Sequence, residues 1–357
     1  MKRPKVFFAD TNAKNKKGLP EKLKIIFKKL NLGNHIEQND LCAVKTHFGE
    51  LGNSAFVQAF FLRTIVDEIK QLGGKPFLTD ANTLYKGSRG NAVDHLQTAL
   101  KHGFSYATVD APVIIADGLN GFDYVSVKID GKHFKEVKIG SSAFYADALI
   151  AVSHFKGHEM TGFGGAFKNI GMGLGARSAK QQMHSDAIPE VVVDKCTGCE
   201  KCVPYCPTEA LKTEAKKAII NKELCYACGE CTISCPHEAI EINWGTDPAI
   251  MQEKVVEHFL GAVKDKGKKL GYVNFLTNIT PDCDCWHFSD AYICPDIGIL
   301  ASTDPVAIDK ASFDLVNEAS KGKIANLWPN INPLNQLEYA QKLGLGTQKY
   351  DLIKLNL

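Results

Sequence analysis

Two runs of four cysteines constrain the fold of this chain more than any other feature. Both runs follow the spacing C-x2-C-x2-C-x3-C-P, in which a proline closes the run. Bacterial proteins with two [4Fe–4S] clusters have this spacing, and the fourth cysteine of each run binds the cluster of the other run. The spacing predicts one cluster held by Cys196, Cys199, Cys202 and Cys235, and a second held by Cys225, Cys228, Cys231 and Cys206.

Zinc is the alternative occupant of these runs, since C-x2-C pairs also occur in zinc sites. Zinc ribbons, however, need neither the third closely spaced cysteine nor the closing Cys-Pro pair. The spacing therefore favours clusters, and it indicates a protein that handles electrons one at a time.

The two runs form an internal repeat, KCTGCEKCVPYCPTEAL and LCYACGECTISCPHEAI. Residues 187–246, which contain both copies, have few apolar side chains and are expected to fold around their metal. We predict an α+β ferredoxin-like domain over residues 187–246. It is inserted into a parallel-sheet α/β body that consists of residues 1–186 and 247–357 and forms one or two lobes.

The flanking segments alternate short apolar runs with amphipathic stretches, a pattern typical of a parallel α/β sheet. Helices are predicted to begin at the caps Asp247 and Asp304, each of which precedes a proline. A longer helix is predicted over 54–72 with Ser54 as its cap, and a hairpin over 124–139. The predicted strands are 6–9, 41–46, 76–80, 113–116, 148–153, 271–278 and 297–301.

Polar side chains follow four of these strands, after residues 46, 80, 153 and 278. In an open parallel sheet, ligands bind where the carboxyl ends of the strands meet. The sequence therefore predicts a pocket at this edge. Histidine and lysine are suited to proton transfer and ligand binding there. The candidate catalytic residues are His47, His154, Lys156 and His158.

A glycine-rich stretch, TGFGGAFKNIGMGLGARSAKQQMHS, begins at Thr161. Glycine lets the backbone approach a ligand closely, and free N–H groups favour anions. Close packing against a cluster or a neighbouring helix is the alternative role of these glycines. The candidate residues for binding an anion or a cofactor are Lys86, Arg89, Gly164, Gly165, Lys168, Arg177 and Lys180.

Four further cysteines lie outside the two runs: Cys42, Cys283, Cys285 and Cys294. Cys283 and Cys285 stand among acidic residues, and they are candidates for a third metal or cluster site. A redox-active thiol pair is the less favoured interpretation, because a one-residue gap strains a disulfide. Cys42 lies in an apolar strand, which is typical of an inert buried thiol.

Composition narrows the partners of the protein. The 42 lysine and arginine residues nearly balance the 40 aspartate and glutamate residues, which gives no reason to expect nucleic acid. No apolar run is long enough for a membrane span, and the first residues show no cleavable signal. Since clusters need reduced thiolates, we expect a cytoplasmic protein of an organism that lives at low oxygen. The expected partners are a redox protein and an anionic small molecule.

Three segments resemble the iron–sulfur members of the domain-of-unknown-function 362 family. They are TDANTLYKGSRGNAVDHL, FKGHEMTGFGGAFKNIGMGLGARSAKQQMH and DCDCWHFSDAYICPDIGILASTDPVAID. The resemblance covers nearly the whole chain and implies an α/β domain joined to ferredoxin-type clusters in anaerobic metabolism. The layout is also distantly similar to that of nickel-dependent lactate racemases, an analogy of fold alone.

These features favour an iron–sulfur oxidoreductase of unknown substrate, in which two clusters pass single low-potential electrons to a site at the strand ends. A flavin is a further candidate cofactor, because one-electron and two-electron chemistry must be joined, although no flavin motif supports it. A non-enzymatic, ferredoxin-type electron carrier is the first alternative, and it needs no pocket. A cofactor-binding or maturation protein with structural clusters is the second.

Overall fold

The segments on either side of the cysteine runs build one central sheet in this computed structural model, which describes residues 3–13, 15–85, 87–185, 187–225, 227–241 and 245–357. Before the runs, the strands are β1 (Lys5–Asp10), β2 (Leu41–Lys45), β3 (Lys75–Asp80), β4 (Val113–Ile115), β5 (Tyr124–Lys128), β6 (Glu136–Gly140), β7 (Ala148–His154), β8 (Lys156–His158) and β9 (Gly162–Gly164). From the runs onward, they are β10 (Glu190–Val191), β11 (Leu211–Glu214), β12 (Lys217–Ile220), β13 (Ile240–Glu241), β14 (Leu270–Leu276), β15 (Gly298–Ser302) and β16 (Asp351–Lys354).

The helices flank this sheet. They are α1 (Leu19–Lys28), α2 (Ala59–Gln71), α3 (Ala92–Lys101), α4 (Tyr106–Val109), α5 (Ser141–Tyr145), α6 (Ala166–Leu174), α7 (Arg177–His184), α8 (Glu230–Ser234), α9 (Pro248–Val263), α10 (Pro305–Ala319), α11 (Lys323–Asn326) and α12 (Asn335–Lys342). Short 3-10 helices cover Leu32–Asn34 and Val203–Tyr205.

Within the described residues, the central sheet has eight strands in the order β16-β1-β15-β14-β7-β2-β3-β4. Its strands are parallel except for β15, which runs antiparallel to both of its neighbours. Helices α1, α2 and α3 pack on one face, and α6, α9 and α10 pack on the other. This confirms an α/β fold with a large, mostly parallel sheet, and it joins the two flanking segments in one sheet.

The predicted strands of the central sheet agree with the observed ones within two residues. The predicted caps are confirmed as well. Asp247 accepts hydrogen bonds from the backbone of Ala249 and Ile250, and Asp304 accepts one from Ala307. Strands β5 and β6 form the predicted hairpin with a longer loop, because the carboxylate of Glu257 accepts backbone hydrogen bonds from residues 132–134.

The prediction of a helix over 54–72 is wrong at its start. Helix α2 begins at Ala59, and Ser54 does not cap it. The backbone of Ala55 instead donates to the side chain of Asn53, which closes a turn. Phe56 is then buried, and its ring stacks on His102 with the centroids 4.5 Å apart. Burial of this apolar residue in extended chain outweighs the local helix propensity.

The cysteine-bearing segment forms two small antiparallel pairs, β10 with β13 and β11 with β12. Its buried cluster is small and consists of Cys196, Cys202, Leu211, Ala218, Cys231, Ala239 and Ile240. Among the described residues, no helix has both the length and the apolar character that crossing a membrane requires.

Candidate functional site

A pocket of about 680 Å³ opens at the carboxyl edge of the central sheet. Strands β14, β7, β2 and β3 lie side by side and parallel, so the loops that follow them meet there. All four loops contribute to the wall, as the sequence predicts for this edge. Among the described residues, five cationic side chains line the pocket: Lys45, Arg89, Lys156, Lys168 and Lys180. All of them are buried except Lys168, which is half-buried.

The first ion-pair network joins the ends of β2 and β3. Lys45 Nζ lies 3.0 Å from Asp80 Oδ1 and donates to Asn169 Oδ1 at 2.7 Å. Arg89 and His95 lie within 3.7 Å of the other oxygen of Asp80. Burial alone would raise the pKa of Asp80, but Lys45, together with the other basic groups around the carboxylate, outweighs burial and holds that pKa well below its ordinary value. Asp80 is therefore the buried counter-ion of this wall.

Arg89 connects this network to the loop after β2. Its guanidinium donates to Glu50 at 3.0 Å and to the hydroxyl of Tyr85 at 2.8 Å, and it lies 3.1 Å from His47 Nε2. Burial, with the adjacent charge of Arg89, lowers the pKa of His47 well below its ordinary value. His47 therefore stays neutral, and the backbone of Gly49 donates to its Nδ1 at 3.0 Å.

The candidate residue His154 lies behind the pocket wall and does not line the cavity. Its Nδ1 lies 2.8 Å from Asp284 Oδ1, and its Nε2 lies 3.0 Å from the carbonyl oxygen of Thr277. The ring therefore bridges Asp284 and the chain that follows β14, and it anchors Asp284. Lys156 does line the pocket, and its Nζ lies 3.2 Å from the second oxygen of Asp284. These hydrogen bonds give His154 a positioning role, and not a role in contact with a ligand.

The thiols of Cys283 and Cys285 meet two basic residues beside the pocket. Lys168 Nζ donates to Cys283 Sγ at 3.3 Å, and His158 also lowers the pKa of this thiol. The hydrogen bond from Cys285 and the charge of Lys168 lower the pKa of Cys283 well below its ordinary value, despite burial. The same bond and burial raise the pKa of Cys285. Cys283 is therefore the thiolate of the pair, and Cys285 faces the pocket.

Lys180 differs from the other cations of the pocket. Its Nζ donates to the carbonyl oxygen of Gly175, and within the described part of the chain no salt bridge joins it to a carboxylate. Burial lowers the pKa of Lys180 to about 8, although Asp117 and Asp80 oppose the shift. A buried ammonium group without a paired acid favours an anionic ligand, because an anion would supply the missing charge.

The remaining candidate residues of the glycine-rich stretch pack against, or hydrogen-bond to, other parts of the protein. A Cβ atom on Gly165 would lie 2.4 Å from Asp309, which accepts hydrogen bonds from the first backbone N–H groups of α6. Gly164 packs against the side chains of Lys156 and Lys168. Arg177 donates to the carbonyl oxygen of Thr83 at 2.9 Å, and Lys86 lies outside the described residues. These glycines allow close packing under the pocket.

The four cysteines outside the runs do not form a single group of four. Cys42 lies in β2 near the amino edge of the sheet and packs against Gly74 and α2. Burial raises its pKa to about 12, as expected of an inert thiol. Cys294 is buried in the apolar cluster on the other face. Within the described residues, no group of three or more His, Cys, Asp or Glu side chains is arranged to hold a single metal ion.

The cysteines of the two runs surround two separate small cavities. The first cavity is lined by Cys196, Cys199, Cys202 and Cys235, and the second by Cys206, Cys225, Cys228 and Cys231. The fourth cysteine of each run therefore faces the cavity of the other run. Backbone N–H groups of Ala218 and Ala239 donate to the sulfurs of Cys196 and Cys235, each at 3.3 Å.

Helix α7 lies between the second cavity and the pocket. Its residues Lys180 and His184 line the pocket, whereas Gln181 faces the cysteine-bearing segment. A Cβ atom on Gly229, which lines the second cavity, would lie 2.2 Å from Cγ of Gln181. Lys138 Nζ also donates to Glu230 at 2.6 Å across this junction. One helix thus contacts both sites.

Sequence reasoning missed several members of the pocket, among them Lys45, Asp80 and Asn169. Two of these three residues could have been found from the sequence. Lys45 and Asp80 are charged residues, and each ends a mostly apolar strand at its carboxyl end. The sequence has no such signal for Asn169, because its contact with Lys45 joins residues 124 positions apart.

Fold and site together define an α/β protein with a cation-lined pocket at the strand ends and a separate segment of paired cysteine cavities. Residues 42–314 match the family model described as "Domain of unknown function (DUF362)", which spans more than half of the chain. The chain belongs to this family, and that part of the resemblance is confirmed. No protein of curated function matches the chain.

Two of the solved structures that resemble the chain are the following. One is the lactate racemase apoprotein from Thermoanaerobacterium thermosaccharolyticum, with a TM-score of 0.41, 12% identity, and coverage of 83% of this chain and 55% of that one. The other is a protein from Thermotoga maritima, with a TM-score of 0.43, 12% identity, and coverage of 85% and 59%. This chain spans a little over half the length of each, and the likeness is too distant to carry an argument.

Proposed function

We propose that this protein is an iron–sulfur oxidoreductase. Its residues 187–246 would form a ferredoxin-like domain that holds two [4Fe–4S] clusters, and its pocket would bind an anionic substrate or cofactor. The clusters supply single electrons at low potential when they are bound.

The observation that carries this proposal is the sorting of eight cysteines into two cavities. The sequence spacing predicts crossed ligand sets, and the cavities contain the same crossed sets. Four thiols for each cavity suit a cubane, in which each thiolate binds its own iron atom. Backbone N–H groups that donate to Cys196 and Cys235 stabilise thiolate ligands and tune cluster potentials.

The pocket supports binding of an anion. Lys180 has no paired carboxylate, so an anionic group of the ligand would complete its charge balance. Arg89 and Lys45 keep their orientation through Glu50 and Asp80, so the wall is preorganised before a ligand arrives. A plain electron carrier needs no such pocket, and the cavity of about 680 Å³ therefore favours the enzyme over the carrier.

Helix α7 supports electron transfer between the two regions. It is about 10–12 Å across with its side chains, and it contacts Gly229 at the second cavity through Gln181. The next residue on α7, Lys180, lines the pocket. The second cavity is therefore the one from which electrons would leave for the pocket.

The test is the iron and sulfide content of anaerobically purified protein, combined with cysteine alkylation and peptide mass spectrometry. The wild type should contain about eight iron atoms. In Cys206→Ser, about four iron atoms should remain, and Cys225, Cys228 and Cys231 should become open to alkylation. In Cys235→Ser, the exposed set should be Cys196, Cys199 and Cys202.

Cys294→Ser is the matched control, because Cys294 lies in the apolar cluster of the body and should keep the full iron content. Zinc in place of iron would overturn the proposal. Exposure of Cys196, Cys199 and Cys202 in Cys206→Ser would overturn the crossed ligand sets. Mass spectrometry of the denatured sample also identifies any organic cofactor that is released, flavin included.

A further inference from the structure

The loop after β14 presents Cys283 and Cys285 on a tight turn. The backbone N–H of Trp286 donates to the carbonyl oxygen of Cys283 at 3.1 Å, which closes a β-turn over residues 283–286. The central residue Asp284 is fixed on two sides, since its side chain pairs with His154 and Lys156. The backbone of Glu50 also donates to the carbonyl oxygen of Asp284 at 3.0 Å. The turn is therefore held rigidly against the pocket.

This turn removes the geometric objection to a bond between the two sulfurs. In an extended strand, Cα atoms two residues apart are about 6.6 Å apart, near the upper limit of the range that a disulfide spans. In a turn, two Cα–Cα steps of about 3.8 Å meet at nearly a right angle, which brings the outer Cα atoms to roughly 5.5 Å. Disulfides span about 4.4–6.8 Å between Cα atoms. Both side chains lie at the pocket, where Cys285 lines the wall and Cys283 lies against Lys168.

The surroundings of Cys283 suit a thiolate and not a metal ligand. The ammonium group of Lys168 lies 3.3 Å from the sulfur, where it would repel a metal cation. His158 accepts hydrogen bonds at Nδ1 from the backbone of Met160 and Thr161, so its proton lies on Nε2. Cys285, together with Lys168 and His158, lowers the pKa of Cys283. These neighbours stabilise the negative charge of this buried thiolate.

We propose that Cys283 and Cys285 form a reversible dithiol–disulfide couple in the wall of the pocket. On oxidation, the Cys283 thiolate and the Cys285 thiol lose two electrons and one proton, and the S–S bond forms. On reduction, two electrons break that bond, one proton returns to Cys285, and Lys168 again faces a thiolate. The couple would take single electrons from the clusters and pass them in pairs to an anionic substrate that is reduced in the pocket. It depends on the proposed function only for this source of electrons.

The experiment equilibrates the anaerobically purified full-length protein in buffers of reduced and oxidised dithiothreitol or glutathione. Acid quenching, alkylation with N-ethylmaleimide and peptide mass spectrometry then report the oxidation state of residues 283–285. Wild type should show one reversible two-electron transition between a doubly alkylated peptide and an unalkylated disulfide. Cys283→Ser and Cys285→Ser should lack this transition, whereas Cys294→Ser should retain it.

Lys168→Met tests the role of the ammonium group apart from folding. Loss of the charge destabilises the reduced thiolate, so the midpoint should shift at least tenfold in the ratio of reduced to oxidised thiol, which is about 30 mV for a two-electron couple. Lys168→Arg should restore the wild-type midpoint. An unchanged midpoint in Lys168→Met would contradict the assigned role of Lys168.

A peptide that stays fully alkylated at the most oxidising ratio would overturn the inference, and so would a transition that persists in Cys285→Ser. Iron and sulfide are measured on the same samples. Clusters without a thiol transition would refute the couple and leave the proposed function standing. A thiol transition in iron-free protein would refute the clusters and leave the couple standing.

Discussion

The cysteine-bearing segment and the α/β body stabilise themselves in different ways. The body buries an extensive apolar cluster on each face of its sheet. The segment buries seven residues in its own cluster, and three of them are the cysteines Cys196, Cys202 and Cys231. Side chains that would bind metal thus replace the apolar side chains that make a core elsewhere. We infer that the body folds without metal and that the segment depends on it.

The two regions also differ in the partners of their buried cations and thiols. In the pocket, most buried cations have an acidic partner from the chain itself, as Lys45 has Asp80 and Arg89 has Glu50. In the segment, backbone N–H groups take this part, as those of Ala218 and Ala239 do for the sulfurs of Cys196 and Cys235. The pocket is therefore preorganised by its ion pairs, whereas the geometry of the cavities would become rigid only with metal.

Removal of iron should have the largest effect and should separate the two regions. Structural metal sites contribute about 10 kcal/mol or more to folding, so residues 187–241 should lose nearly all protection from hydrogen exchange. Strand β7 and helix α2 in the body should keep theirs. Hydrogen exchange followed by mass spectrometry measures both. Equal loss of protection in the body would show that the two regions fold as one unit.

Asp80→Asn should have the next largest effect. It leaves Lys45 and Arg89 buried without a full counter-charge, and loss of one partner from a buried pair costs about 3–5 kcal/mol. The free energy of unfolding in urea should fall by this amount. Asp67→Asn is the control, because its solvent-screened surface pair with Arg63 should contribute far less to stability. Equal effects of the two variants would show that the network of the pocket does not stabilise the body.

Lys180→Met should weaken anion binding in the pocket. A charge-assisted hydrogen bond contributes about 1.5–3 kcal/mol, so the Kd for inorganic pyrophosphate, measured by calorimetry, should rise about ten- to a hundredfold. Lys310→Met is the matched control, because Lys310 pairs with Asp314 on α10 away from the pocket. Unchanged affinity in Lys180→Met would place the anion elsewhere.

The same lysine predicts a pH dependence. Burial lowers the pKa of Lys180 to about 8, so the free protein loses this charge as the pH rises through that value. Affinity should then fall about tenfold for each further pH unit, because binding must restore the proton. Lys180→Arg keeps its charge and should show a shallower profile. A wild-type affinity that does not change between pH 7 and pH 10 would contradict this.

Gly229→Ala should have the smallest of these effects and tests the junction between the two regions. Gly229 has φ of +75°, and its Cβ would collide with Gln181. Gly344→Ala is the control, since Gly344 has φ of +74° with nothing within 4 Å. Backbone strain of about 1–2 kcal/mol is common to both, and the collision should add about 1–2 kcal/mol in Gly229→Ala alone. Equal losses of thermal stability would show that the junction is loose.

Local patterns predicted the sheet well, because strand and cap signals depend on neighbouring residues. The caps at Asp247 and Asp304 and the strands of the sheet follow from such signals. The start of α2 does not follow from such signals, because burial of Phe56 competes with helix formation. That burial depends on His102, which is distant in the sequence. The edge of the pocket was predictable for the same reason as the strands, because parallel strands bring their following loops together.

The sequence by itself predicted how the eight cysteines divide into two sets, the α/β class of the fold, and the edge of the sheet where the pocket lies. These depend on spacing and periodicity, which are local properties. Only the tertiary structure decided which side chains face the pocket. His154 turns away to Asp284 and Gly165 packs on Asp309, whereas Lys45 and Asp80 line the wall. Each of these outcomes depends on a partner more than 30 residues away, and the order of the strands in the sheet brings that partner close.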